Sequence, residues 1–69
     1  MMNIQEAQRI VDYLSTITKG NKKWDVHTTR SGQVIIRVWD KDAEEFVYWE
    51  ELNPEYIKAM IYEARYQEV

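Results

Sequence analysis

Apolar residues recur at helical spacing near the start of the chain. Ile4, Ala7, Val11, Leu14 and Thr18 fall on one face, and Ile10 and Ile17 widen that stripe. Asn3 followed by Glu6 has the spacing of an N-terminal capping pair, in which a side-chain oxygen meets backbone amides that the helix leaves unpaired. Lys19-Gly20 supplies a stop, because glycine accepts the left-handed conformation that ends many helices. The spacing predicts a first helix over about residues 3–19.

The period then shortens to two. In "KWDVHTTRSGQVIIRVWD", two β-rich runs flank Ser31-Gly32, a dipeptide suited to a tight hairpin turn. Trp24, Val26 and Thr28 alternate with Asp25, His27 and Thr29; Val34, Ile36 and Val38 alternate with Ile35, Arg37 and Trp39. After "DKDAEE", Phe46 to Trp49 predicts a third strand antiparallel to the second. On it Phe46 and Tyr48 point one way, Val47 and Trp49 the other. Asn53-Pro54 opens a second helix: asparagine caps, and proline fits a first turn where its missing N–H costs nothing. Ile57, Met60, Ile61 and Ala64 form its apolar stripe, with Tyr56, Tyr62 and Tyr66 at its edges or beyond.

The predicted architecture is one α+β domain over residues 1–69, in the order α-β-β-β-α. Its three-stranded antiparallel sheet carries two helices packed on one face. Such a sheet cannot bury both sets of aromatics. Some large rings must lie near the surface or in an interface.

Composition narrows the functional classes. The chain has no cysteine, which removes disulfides, thiolate metal sites and thiol nucleophiles together, and favours a reducing, cytoplasmic setting. Apolar runs such as Phe46–Trp49 reach only four residues, far short of a signal peptide or membrane span. No membrane association is expected. The net charge of −3 hides a split: residues 1–39 balance at +3 and residues 40–69 at −6.

Catalysis finds little to work with. His27 is the only histidine, and Ser15 and Ser31 are the only serines, one on a predicted helix and the other in a predicted turn. No catalytic residue, cofactor site or metal site is assigned, and the chain is expected not to be an enzyme. Asp40, Asp42, Glu44 and Glu51 do occupy positions 1, 3, 5 and 12 of a calcium-loop pattern. The glycine required at position 6 is replaced by Glu45, and the segment is entered from a β-branched strand instead of a helix. The bland reading, a solvated hairpin turn, is preferred.

Two surfaces invite a binding reading. In the segment from Asp40 to Glu55, seven carboxylates are interleaved with Phe46, Tyr48 and Trp49. Carboxylates speed encounter with a basic partner and fix its orientation, while large amphipathic rings anchor it. Asp40, Asp42, Glu44, Glu45, Tyr48, Trp49 and Glu51 are the candidate partner-binding residues. The competing explanation is a solubilising surface around an ordinary edge strand. The alternative surface is basic: Lys19, Lys22, Lys23 and Arg30 could meet phosphates, and the element order resembles that of double-stranded-RNA-binding domains. The resemblance is one of topology, because the second helix begins "NPEYIKAM" where that family has a lysine-rich start, so nucleic acid is the less favoured partner. Tyr62 and Tyr66, one turn apart, offer a third possibility, the seam of a structural homodimer.

The hairpin "GQVIIRVWDKDAEEFVYWE", Gly32 to Glu50, resembles the central hairpin of a small phage-encoded anti-CRISPR inhibitor of Cas9. There too an apolar strand, here Ile35, Ile36, Arg37 and Val38, leads through an acidic turn to an aromatic–valine pair, here Phe46 and Val47. Such inhibitors imitate DNA with carboxylates. The resemblance covers 19 of the 69 residues, and this chain is less acidic and basic in its first half. It implies a phage or mobile-element accessory protein that binds and inhibits a host protein with a basic surface, such as a nucleic-acid-binding enzyme.

Overall fold

Helix α1 spans Ile4–Ile17, followed by strands β1 (Lys22–Thr28), β2 (Val34–Asp40) and β3 (Glu45–Trp49), and helix α2 (Pro54–Arg65). The computed structural model describes residues 2–66. The order is the α-β-β-β-α predicted, with an antiparallel sheet in spatial order β1-β2-β3.

Each boundary has a local cause. Asn3 Oδ1 accepts from the amides of Gln5 (2.7 Å) and Glu6 (3.3 Å). Met2 and Ala7 flank this cap, both buried, in the positions of a hydrophobic staple. α1 ends two residues earlier than predicted: Thr18 is already extended, and Gly20 takes φ +79° in the connection that follows. Ile4 is 55% exposed, contrary to the predicted stripe, because the first residue of a helix starting beside Met2 turns outward. At α2, Asn53 Oδ1 accepts from the Tyr56 amide at 2.9 Å and Pro54 sits in the first turn.

The β1–β2 turn is longer than the tight one expected at Ser31-Gly32. Thr29 N–H donates to Gln33 O (2.8 Å) and Gly32 N–H to Thr29 O (2.9 Å), so Arg30, Ser31 and Gly32 form a three-residue loop. Its third residue, Gly32, has φ +86°, the position where such loops need a left-handed residue.

Ala7, Val11 and Leu14 of α1 and Met60 and Ala64 of α2 close over Trp24, Ile36 and Val38, and these residues with Met2 form one buried cluster. Val26, Val34, Val47, Trp49 and Leu52 pack against its margin. Both helices therefore lie on one face of the sheet. The C-terminus of α2 is finished by the α1–β1 connection. Lys19 N–H donates to Ala64 O (2.9 Å), and Lys22 Nζ donates to Glu63 O (2.7 Å) and Tyr66 O (3.1 Å). A cation there satisfies carbonyls that the helix cannot and complements its dipole.

Candidate protein-binding surface

The register decides which side chains share the uncovered face. Trp39 opposes Phe46, Arg37 opposes Tyr48 and Asp25, and Ile35 opposes His27. Trp39 and Phe46 meet with ring centroids 4.7 Å apart, and Phe46 and Tyr48 at 5.8 Å. The Arg37 guanidinium lies 4.4 Å from the Phe46 centroid and donates twice to Asp25, at 2.7 and 3.1 Å. The hydrogen bond to Asp25 is the main reason that the Arg37 pKa is raised above the ordinary arginine value. A raised pKa contributes stability below arginine's ordinary range and loses it only above, so this pair adds no pH dependence from its cation under workable conditions. With Asp25 half exposed, the pair contributes at most about 1 kcal/mol. Its structural effect is to lay a flat cation over an aromatic strip. No described helix covers that strip.

The predicted partner-binding residues divide between four places. Asp40 is half-buried and accepts from the amides of Asp42 (3.1 Å) and Ala43 (3.3 Å), so its carboxylate shapes the β2–β3 turn. Asp42, Glu44 and Glu45 are exposed around that turn. Tyr48 is 53% exposed on the open face. Trp49, expected as an exposed anchor, points the other way: its ring stacks on Trp24 at 5.5 Å and packs against the core. The strand pleat sends alternate residues to opposite faces, and residue 49 falls on the helix side.

Glu51 lies with Glu50 past the far end of β3. Five residues of strand hold Glu50 roughly 16 Å from Glu45, about two Debye lengths at physiological salt. The acids are thus two separate poles and not one patch. The turn pole faces positive charge, because Asp40 and Asp42 line a cleft of about 130 Å³ with Lys19, Lys22 and Tyr66. The far pole does not: Glu50 and Glu51 line a cleft of about 290 Å³ with Tyr48, Trp49 and Tyr56. They also line a depression of about 480 Å³ with Met2, Ser31, Gly32, Gln33 and Val34. No described basic residue lines either.

The alternative basic residues are not brought together. Lys22 has a side chain only 9% exposed, paired with Glu63 at 3.2 Å and committed to the end of α2. Lys19 and Arg30 lie beyond opposite ends of β1, while Lys23 is exposed on the open face. Tyr62 and Tyr66 stack at 5.7 Å and are 66% and 45% exposed. Ser15 is exposed on α1, Ser31 shares a hydrogen bond with Thr29, and His27 stands on the open sheet face. Among the described residues no three His, Cys, Asp or Glu side chains are placed to hold a metal ion. No described helix is long and apolar enough to cross a membrane.

Trp39, Phe46 and Arg37 are surface residues that sequence reasoning did not select. Period-two alternation already put Arg37 and Trp39 off the core face; what it lacked was the β2–β3 register that sets Phe46 against Trp39. Compared with protein-family models, curated proteins and solved structures, the chain matches none.

Proposed function

We propose that this chain is a non-enzymatic protein-binding module whose docking surface is the β2–β3 hairpin, its open aromatic face and its two acidic ends. The observation that carries this reading is the continuity of the Trp39–Phe46–Tyr48 strip with the uncompensated cleft of Tyr48, Glu50, Glu51 and Tyr56. Rings on an uncovered face supply apolar contact area. Carboxylates at its end select a positively charged partner and accelerate its approach. The partner is a host protein with a basic surface, inhibited by occlusion of that surface. The resemblance of Gly32–Glu50 to an anti-CRISPR hairpin supports a nucleic-acid-handling target and a phage or mobile-element origin.

The test is affinity capture from the native host with three baits: the wild type, Glu50→Lys/Glu51→Lys, and Phe46→Ala/Tyr48→Ala, each checked for folding by circular dichroism. A partner retained by the wild type and lost by both variants is the expected result. Identical capture by all three baits overturns the reading.

A second reading, a homodimer, is favoured by the stacked and exposed Tyr62–Tyr66 pair. It predicts that Tyr62→Glu converts a dimer to a monomer in sedimentation at micromolar concentration. A monomeric wild type under those conditions excludes it.

A further inference from the structure

The edge of β3 carries information that its side chains alone do not. Since Thr29 N–H bonds to Gln33 O, the antiparallel alternation turns the odd positions of β2 toward β1 and the even positions toward β3. Ile36, Val38 and Asp40 therefore pair with Trp49, Val47 and Glu45 through main-chain bonds. Phe46 and Tyr48 direct their N–H and C=O groups away from the sheet, where no described residue pairs with them. Natural edge strands are usually blunted by internal charge, by proline or by a bulge. β1 follows that rule with Lys22, Lys23 and Asp25. β3 has one such charge, Glu45 at its start, and none of these devices from Phe46 to Trp49.

We infer that the β3 edge is a strand-addition site, taking an extended segment of a partner protein with a lysine or arginine near each end. The charges around β3 weigh against the obvious competitor, a second copy of β3. In an antiparallel self-pairing through the outward groups of Phe46 and Tyr48, the register centred on Val47 sets Glu44 against Glu50, and the one centred on Tyr48 sets Glu45 against Glu51. Like charges placed directly opposite destabilise such pairs. The β1 of another copy is basic at its beginning only, whereas β3 is acidic at both ends. A foreign strand with basic residues at both ends meets complementary charge throughout. The cleft of Tyr48, Glu50, Glu51 and Tyr56 lies where one of those side chains would descend, offering carboxylates for its charge and ring faces for its stem. Main-chain bonds to Phe46 and Tyr48 provide affinity, and the flanking acids provide selection.

The inference rests on the protein-binding reading above and specifies its mode. The probe is an acetylated, amidated peptide, Lys-Lys-Thr-Val-Thr-Val-Thr-Lys-Lys, compared with its glutamate-ended counterpart. Amide exchange by NMR on the full chain should show Phe46 and Tyr48 slowing by at least about tenfold with the lysine peptide and not with the glutamate peptide. Unchanged exchange at saturating peptide, or equal protection by both peptides, overturns the inference. Two variants separate the mode from the wider reading. Tyr48→Ala and Tyr48→Pro both lose the ring, but only proline loses the outward N–H, which an edge position tolerates. Strand addition predicts binding at least about tenfold weaker for the proline variant than for the alanine variant. Equal weakening in both removes strand addition and leaves side-chain docking intact. If Tyr48→Pro does not fold, the exchange experiment on the wild type decides.

Discussion

Glu44 has φ +54°, the one non-glycine among the described residues with a left-handed backbone. It closes the β2–β3 turn that Asp40 templates with two hydrogen bonds. A side chain there meets the following carbonyl, at a cost of about 1 kcal/mol or more. Glu44→Gly is accordingly expected to raise stability by up to about 1 kcal/mol, the gain being limited by glycine's greater freedom when unfolded. Glu44→Val, branched at Cβ, should lower it by about 1 kcal/mol or more. Urea denaturation midpoints check both. Burial sets a larger scale elsewhere. Met60 has no exposed surface, and Met60→Ala should cost about 2–5 kcal/mol in the same assay. Trp24 is a mixed case: its ring fills the core, while its buried indole N–H has no partner among the described residues. Trp24→Phe removes that unsatisfied donor along with part of the ring, so two opposing effects of about 1–3 kcal/mol each make its net cost small for a core substitution.

At the scale of elements, Lys22 shows how a residue's place in the fold overrides its type. On sequence it belongs to a basic run with Lys19 and Lys23, a solvated cluster or a phosphate contact. In the fold it is the first residue of β1, on the helix side of the sheet, and its ammonium ends among the last carbonyls of α2. Lys22→Met keeps the apolar stem and removes the charge. It should cost about 1–3 kcal/mol, because the carbonyls of Glu63 and Tyr66 lose a charged donor. Faster amide exchange confined to the final turn of α2, with α1 unchanged, is the accompanying signature. The start of α2 depends on a different device: Asn53→Ala should cost about 1 kcal/mol, read from the same denaturation curves. These caps explain why helix beginnings were legible in the sequence. Asn3 and Asn53 act on amides two or three residues away, a distance that local spacing encodes. The capping of α2 by Lys22 spans 41 residues, and no local pattern announces it.

Across the whole molecule the sheet has one face packed under the helices and one that no described helix covers, although Ile35 on that open face is also buried. Ile36 and Val38 are fully buried beneath the helices, whereas Trp39 and Phe46 opposite them are only half-buried against each other. Ile36→Ala is expected to cost about 2–5 kcal/mol. Phe46→Ser removes a ring that packs on one side only and should cost no more than about 2 kcal/mol while abolishing partner capture. A Phe46→Ser variant as unstable as Ile36→Ala would mean that the aromatic strip is a second core. Charge also acts at this scale. The basic first half and acidic second half are not opposed blocks in space: Asp40 and Asp42 sit beside Lys19 and Lys22, while Glu50 and Glu51 stand apart.

Periodicity, caps and turn residues are properties of neighbours in the chain, so they determined the five elements, their order and which residues of each strand share a side. Those same rules place Trp49 and Tyr48 on opposite faces of β3. Which strands' rings touch, which lysine is consumed by a helix end and which acids remain uncompensated depend on pairing register and on contacts between distant segments. The tertiary structure alone decided these, because a shift of one residue in register would exchange every ring between the two faces of the sheet without altering a single local preference.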